Sequence, residues 1–294
     1  MKRTYFPGLI DIVQLDTPAA IEEITLSRLF DRRFENRYPL INGLLLRHIL
    51  GLLSYGGKRF PTLSAKDSPG RASEQELLWT ALNQRTPALR EGPDEVADLV
   101  RWMKGTGNDN ELGICVQQLV GSQFCATYSA TAESWEAALT LDSALRTSCP
   151  LTILRNWLTG KVRRAKRLLA VKVNGNLAGL HATGIALHNI VRSFQNMRNL
   201  YMHIGQRGSL STEEVLRRCL AAPGVIFREA AGSGTIAGCP FSKNTLFLVA
   251  LAKAQAGNAT AEIAFLKNSW SRCPADEWVP ALLAGVWRRA LRTT

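Results

Sequence analysis

The sequence predicts a mainly helical single domain with a small β portion towards its C-terminal end. Apolar residues recur at helical spacing through the first two thirds of the chain. After Pro223, short β-rich runs broken by Gly, Ser and Pro replace that pattern. The 294 residues are 46% hydrophobic and 20% charged, an ordinary globular balance. No internal repeat or linker interrupts the chain, so residues 1–294 are expected to form one domain.

The apolar periodicity predicts eight helical segments ahead of the β-rich region. They cover residues 21–30, 40–53, 73–82, 94–103, 111–121, 130–145, 151–173 and 177–202. The capping residues Thr17-Pro18 and Ser211 to Glu214 mark two helix starts. Strands are expected within residues 225–229, 234–238 and 244–251. A last helix is expected to begin directly after Cys273, because Pro274, Asp276 and Glu277 favour a helix N-terminus.

Composition and cysteine spacing narrow the class of protein. No run of eighteen apolar residues occurs, so no membrane-spanning helix is expected. Asp11 and Asp16 interrupt the apolar start, which argues against a secretory signal and favours a cytoplasmic protein. The six cysteines form no CxxC pair and no HExxH motif occurs, so neither zinc nor a disulfide framework is favoured.

The net charge of +12 predicts acidic partners. The densest basic run lies within residues 161–167, and it is either a solvated helix face or a docking surface for an acidic redox partner or carrier protein. No zinc finger or RNA-recognition signature accompanies it. Nucleic-acid binding therefore rests on net charge alone and is the weakest of the functional hypotheses.

Four features in the second half of the chain occur in the order found in cytochromes P450. Residues 178–183 (AGLHAT) are similar to the central-helix motif of that family, and Glu214 with Arg217 forms an ExxR. Arg228 precedes a strand–turn–strand pattern, and Cys273 precedes a final helix as in the family's cysteine loop. Residues 174–292 therefore resemble a short, divergent member of the cytochrome P450-like, haem-thiolate superfamily.

The resemblance implies haem b as cofactor, with Cys273 as the thiolate ligand of the iron and Arg228 on a haem propionate. Arg71 follows a segment similar to the one that leads into the family's propionate-binding helix, and the Glu214–Arg217 pair would support the cysteine loop. The residue chemistry is compatible with these roles. A helix N-terminus favours a thiolate, and the guanidinium fork of arginine pairs with carboxylates.

Two departures from the family pattern bear on function. His181 and Ala182 stand in place of the acid–alcohol pair of the central helix, with Thr183 retained. His181 and Thr183 are therefore the candidate catalytic residues, and ordinary dioxygen activation is disfavoured. In the cysteine loop, Leu266 and Ser269 replace the usual aromatic residue and glycine.

Two functional hypotheses follow from the resemblance. The first is a haem-thiolate enzyme of bacterial specialised metabolism that either oxidises a small organic substrate, with peroxide-dependent peroxygenase chemistry as one option, or catalyses its rearrangement. The second is a haem-free P450-like auxiliary protein that binds and stabilises a partner enzyme. Without the resemblance, Cys273 could also be an ordinary thiol near a helix cap.

Overall fold

The N-terminal segment forms two strands that the sequence patterns did not predict. The computed structural model describes residues 1–34, 38–147, 149–204, 210–255 and 260–292. Strands β1 (Lys2–Phe6) and β2 (Ile10–Leu15) pair antiparallel. Every second residue of β2 is buried, so the strand presents Asp11, Val13 and Leu15 to the interior.

These strands join the β-rich C-terminal region in one sheet. Its strand order is β1-β2-β9-β6-β3, with β3 at Phe30–Asp31, β6 at Ile226–Ala230 and β9 at Leu246–Val249. Strand β2 runs parallel to β9, whereas β6 is antiparallel to β9 and β3 is antiparallel to β6. Two hairpins complete the β structure: β4–β5 (Ser54–Tyr55, Lys58–Arg59) and β7–β8 (Gly234–Ile236, Cys239–Phe241). The predicted β region after Pro223 is confirmed, but its sheet is shared with the first 31 residues.

The helices predicted through residue 145 are all present. They are α1 (Pro18–Leu26), α2 (Leu40–Leu52), α3 (Arg71–Asn83), α4 (Thr86–Glu91), α5 (Ala97–Met103), α6 (Asp109–Gly121) and α7 (Ala132–Arg146). Helix α5 follows a short 3₁₀ turn, and α4 is a helix that the sequence patterns did not predict. Thr17 and Pro18 occupy the N-cap and first position of α1, as their residue types predict.

The segment predicted as one helix over residues 151–173 is two helices. Helix α8 (Pro150–Thr159) ends at Gly160, and α9 (Lys161–Lys172) begins directly after it. Gly160 has a φ of +60°, a conformation that stops a helix and that glycine adopts without strain.

The predicted long helix over residues 177–202 is confirmed as a continuous rod. It consists of α10 (Leu177–His181), a π-helical turn (Ala182–Ala186) and α11 (Leu187–Ile204). A π turn inserts an extra residue per turn and occurs preferentially at functional sites.

The predicted start of the last helix is wrong by several residues. Helices α12 (Thr212–Cys219), α13 (Leu251–Ala254) and α14 (Ala261–Phe265) precede it, and α15 spans Trp278–Arg292. Residues 274–277 form turns instead of helix. The carboxylate of Asp276 accepts bonds from Arg272 Nε (2.7 Å) and Trp79 Nε1 (3.2 Å), so it anchors the turn to α3 and does not cap α15.

Helix α15 lies in the main hydrophobic core, with buried residues on most of its faces. It crosses α4 so closely that backbone meets backbone at Gly285 and Gly92. Within the described ranges, no helix is long and apolar enough to cross a bilayer.

Candidate haem-thiolate site

Cys273 lies in a turn between α14 and α15, packed against the main core and partly buried. Its backbone N–H donates to the carbonyl of Phe265 (2.8 Å), which closes the loop that precedes it. Within that loop the hydroxyls of Ser269 and Ser271 lie 2.7 Å apart, and both are buried. The loop is therefore an ordered polar turn, although it lacks the glycine of the family pattern.

Three arginines surround Trp270, and we call them the arginine cluster: Arg32, Arg71 and Arg228. Their guanidinium carbons lie 5.3, 4.6 and 5.5 Å from the centroid of the indole ring, respectively. Arg71 also donates to the carbonyl oxygen of Trp270 (2.9 Å), and Arg228 donates to Ser271 Oγ (2.5 Å). The structure thus brings Arg71 and Arg228 together, as the sequence predicts, and attaches both to the loop that carries Cys273.

The arginine cluster concentrates positive charge in the interior of the protein. Arg32 and Arg228 are almost completely buried. Burial, together with the neighbouring guanidiniums, holds the pKa of Arg228 well below its usual range and lowers the pKa of Arg32 to about 10. Asp31 is the carboxylate recorded as offsetting this charge, and it also accepts bonds from Arg33 Nε and the backbone N–H of Lys66.

One donor of the arginine cluster remains unused. Nε of Arg71 is buried and has no hydrogen-bond partner among the residues that the structure describes. A buried unpaired donor on a charged group is costly, so this atom favours an anion beside Trp270. Carboxylates are the anions that guanidinium groups hold best.

The electrostatic setting of the Cys273 thiol differs from the sequence-based expectation. Because Cys273 precedes α15 by five residues, the helix terminus does not act on it directly, and the N–H of Ala275 is the backbone donor recorded at its sulfur. Burial raises the pKa of Cys273 to about 11, despite this donor and the charge of Arg32. The thiol is therefore protonated at neutral pH, and coordination to a metal would require the loss of that proton.

His181 is the last residue of α10, directly before the π turn. Its ring lies 5.3 Å from that of the fully buried Phe60. Burial and, as the smaller cause, the charge of Arg32 lower the pKa of His181 to about 4, so the imidazole is neutral at pH 7. Arg32 thus acts electrostatically on both His181 and Cys273, which places its guanidinium in the region between the central helix and the cysteine loop.

Thr183 has a different environment from His181. Its side chain is fully buried, and its hydroxyl donates to the carbonyl of Gly179 (2.7 Å). The carbonyl of Thr183 accepts from Gln117, and its hydroxyl lies near the phenol of Tyr128, in the packing of the central helix against α6 and α7. These bonds hold Thr183 inside the helix bundle.

The Glu214–Arg217 pair forms as predicted, but at the surface. Nε and Nη2 of Arg217 each lie 2.6 Å from a carboxylate oxygen of Glu214. Hydrogen bonds from Arg217 and Arg218 lower the pKa of Glu214 to about 2. Arg217 lines an open cavity of about 430 Å³ beside α11 and α13. Support of the cysteine loop by this pair remains a prediction.

The side chains present have the chemistry that holds a haem. Cys273 could supply a thiolate, and the arginine cluster could supply guanidinium groups for the propionates, with an unused donor at Arg71 Nε. Within the described residues, no group of three or more His, Cys, Asp and Glu side chains is arranged to bind a metal ion. A haem iron needs only one such protein ligand on this side, so that observation does not conflict with the fit.

Sequence reasoning missed Arg32 and Trp270. Arg32 follows a two-residue strand in a segment without a recognisable motif, and only the pairing of β3 with β6 brings it close to Arg228. Trp270 lies three residues before Cys273, so a large aromatic ring this close to the cysteine could have marked it as part of the site.

Comparison with solved structures shows that the chain has the fold of the cytochromes P450. P450BioI, solved in complex with an acyl carrier protein ligated to hexadec-9Z-enoic acid, is 13% identical and superposes with a TM-score of 0.63 over 99% of this chain and 87% of that one. Cytochrome P450EX alpha with myristic acid is 15% identical, with a TM-score of 0.62 over 94% and 80%.

A six-coordinated cytochrome P450 from Thermus thermophilus is 13% identical, with a TM-score of 0.61 over 95% and 85%. At such identities the likeness shows the fold and not the activity. No protein-family model matches the chain, and no curated protein sequence matches it significantly. The mainly helical, P450-like fold expected from the sequence is confirmed, in a chain shorter than is typical of the fold.

Proposed function

We propose that the protein is a haem-thiolate enzyme that oxidises a small organic substrate with peroxide as the oxidant. Cys273 would be the proximal ligand, and Arg71 and Arg228 would bind the propionates. A thiolate-ligated haem supplies an electron-rich iron that favours cleavage of an O–O bond. The observation that carries the proposal is the arginine cluster around Trp270, which contacts the loop of Cys273 through Arg71 and Arg228 and has an unused donor at Arg71 Nε.

His181 has the properties of a proton acceptor on the distal side. An imidazole that is neutral at pH 7 carries one ring nitrogen without a proton, so His181 could accept a proton from hydrogen peroxide held beside it. Its packing against Phe60 restricts the orientation of the ring. The sequence has no carboxylate at this position, which supports peroxide over dioxygen as the oxidant. We place Thr183 in a structural role, since its hydroxyl is bonded within the helix.

An acidic carrier or redox protein is the macromolecular partner that the net charge of +12 suits best. P450BioI was solved with an acyl carrier protein, which supports a carrier as one form of substrate delivery. The proposal does not depend on it, because peroxide chemistry needs no redox partner.

Reconstitution with haem tests the proposal. The wild-type protein should acquire a Soret band, and the reduced protein should give the long-wavelength CO spectrum of thiolate ligation. Cys273→Ser should lose that spectrum, whereas Cys115→Ser, which alters another partly buried thiol, should keep it. Arg71→Ala should weaken haem retention. Failure of the wild type to take up haem would refute the proposal.

The haem-free auxiliary role is the second candidate. Arg228 donates to Phe227 O (2.8 Å) and Ser271 Oγ, so protein acceptors already hold two nitrogens of this arginine. Unchanged thermal stability after incubation with haem, combined with co-purification of a partner enzyme, would favour this candidate.

A further inference from the structure

Helix α8 turns its apolar side away from the protein. Leu151, Leu154, Trp157 and Leu158 are 77, 50, 76 and 68% exposed, respectively. With 3.6 residues per turn these four side chains share one side of the helix, which we call the apolar face of α8. Large apolar residues grouped on a surface mark an interaction site rather than chance exposure.

The inward side of α8 is, by contrast, largely polar. Thr152, Ile153 and Asn156 are the residues of the helix centre that are partly buried. The contacts of α8 with other elements are chiefly those with α9, which follows it directly. An ordinary surface helix buries its Leu and Trp residues and exposes its polar ones. Because α8 exposes its Leu and Trp side chains, it gains little hydrophobic stabilisation unless another apolar phase covers them.

Exposed cations lie beside the apolar face of α8. Arg155 is exposed on α8 itself, and Lys161, Arg163, Arg164 and Arg167 are exposed on α9. No ion pair with an acidic side chain is recorded for any of the five within the described ranges. Lys166 differs from them, since it is buried and donates to the carbonyls of Gly51 and Ser54. Moreover, the sequence contains no Asp or Glu between Asp142 and Glu213.

We propose that α8 and the exposed face of α9 form a binding surface for an anionic lipid bilayer. Leu and Trp side chains next to Lys and Arg are the composition of helices that lie in the bilayer interface. The apolar face of α8 would enter the acyl boundary, while the five cations meet lipid phosphates. This contact requires no membrane-spanning helix and would hold the protein where apolar substrates concentrate.

Other occupants satisfy only part of this surface. A second copy of the chain would bring the same five cations against one another around a symmetric contact, which electrostatic repulsion opposes. An acidic protein would neutralise the cations but would need its own cavity for four protruding apolar side chains. An anionic bilayer accommodates both features without a complementary shape.

Vesicle sedimentation with the full chain tests the proposal. The protein should sediment with phosphatidylcholine vesicles that contain phosphatidylglycerol, much less with phosphatidylcholine alone, and less again at high salt. Leu154→Gln combined with Leu158→Gln should weaken binding roughly tenfold or more. Arg163→Gln combined with Arg164→Gln should also weaken it by roughly tenfold.

Matched control variants come from exposed residues elsewhere. Leu44→Gln with Leu77→Gln alters two apolar side chains that are 55 and 70% exposed on α2 and α3. Arg28→Gln with Arg90→Gln removes the same charge from exposed positions. Both control pairs should bind vesicles like the wild type. Equal losses in the control and test pairs would overturn the proposal, as would vesicle binding that does not depend on anionic lipid.

Trp157 provides a second readout that does not depend on affinity. Its fluorescence should shift to the blue when the wild type binds anionic vesicles, and the shift should be largely absent in Trp157→Phe. A dimer in lipid-free solution that Leu154→Gln with Leu158→Gln dissociates would assign the surface to self-association instead. Binding of an acyl carrier protein without binding of vesicles would assign it to an acidic protein.

Discussion

Substitution of Gly285 by alanine tests how α15, the helix that follows Cys273, is held in place. A Cβ atom at Gly285 would lie 1.9 Å from the carbonyl oxygen of Leu89 and 3.4 Å from Cα of Gly92. These are backbone atoms of α4 and its C-terminal turn, and they cannot rotate away as a side chain could. Accommodation of one methyl group therefore requires the two helices to separate.

The expected loss of stability follows from two opposing contributions. Overpacking of a close contact costs about 1–3 kcal/mol, and the backbone nature of this contact places Gly285→Ala at the upper end, about 3 kcal/mol. Alanine has a higher helix propensity than glycine, which returns up to about 1 kcal/mol. The net free energy of unfolding should therefore fall by about 2 kcal/mol.

Gly51→Ala is the matched control, because Gly51 is an exposed glycine of α2 whose added Cβ would meet nothing within 4 Å. This variant should be neutral or more stable by up to about 1 kcal/mol. Urea unfolding followed by tryptophan fluorescence and circular dichroism measures both variants. A free energy of unfolding for Gly285→Ala within about 0.5 kcal/mol of the wild-type value is typical of surface substitutions. That result would refute the close contact between the backbones of α4 and α15.

Three further predictions concern titratable groups. At pH near 7.5, iodoacetamide should modify Cys149 well before Cys219. Cys149 is exposed and its pKa is lowered by the backbone N–H of Thr152, whereas burial raises the pKa of Cys219 to about 12. Peptide mass spectrometry measures both rates, and similar rates would contradict this prediction. The wild type should have a higher urea midpoint than Glu214→Gln at neutral pH, and this difference should disappear as pH falls from about 4.5 to about 2. The reason is that hydrogen bonds from Arg217 and Arg218 hold the pKa of the folded carboxyl at about 2. Burial lowers the pKa of Lys166 from 10.5 to about 8, so the folded protein releases this proton at a lower pH than the unfolded chain does. The stability of the wild type relative to Lys166→Met should therefore rise between about pH 8 and pH 10.5. A fall in this difference over that range would contradict the burial of the Lys166 charge.

The sequence patterns predicted helices better than strands or helix ends. Amphipathic spacing located α2, α6 and α11 because each buries one side, and that periodicity is visible in the chain. Strands β1 and β2 were missed because a five- or six-residue alternation is a weak signal and because β9, the strand that joins β2 to the sheet, lies more than 230 residues away. The N-terminus of α15 was misplaced because Asp276, a good N-cap residue by type, is bonded to Arg272 and Trp79 instead.

The candidate site was predictable only where a motif marked it. The ordered motifs identified Arg228 and Cys273, and the structure attaches Arg228 to the loop of Cys273 through Ser271. Arg32 carries no motif, and its position depends on the pairing of β3 with β6. The expected thiolate-favouring setting of Cys273 was wrong because burial outweighs the single backbone donor at its sulfur.

The pairing of β2 with β9 also determines when the protein can fold during synthesis. Residues 12–15 hydrogen-bond to residues 246–249, so the N-terminal strands have no parallel partner until most of the chain has left the ribosome. Arg32 and Arg71 are likewise synthesised well before Trp270, the residue around which they gather. Such long-range pairing slows folding and leaves unpaired strand edges exposed in the nascent chain. The arginine cluster can therefore assemble only after residue 270 has been synthesised, and until then its guanidinium groups lack their tryptophan.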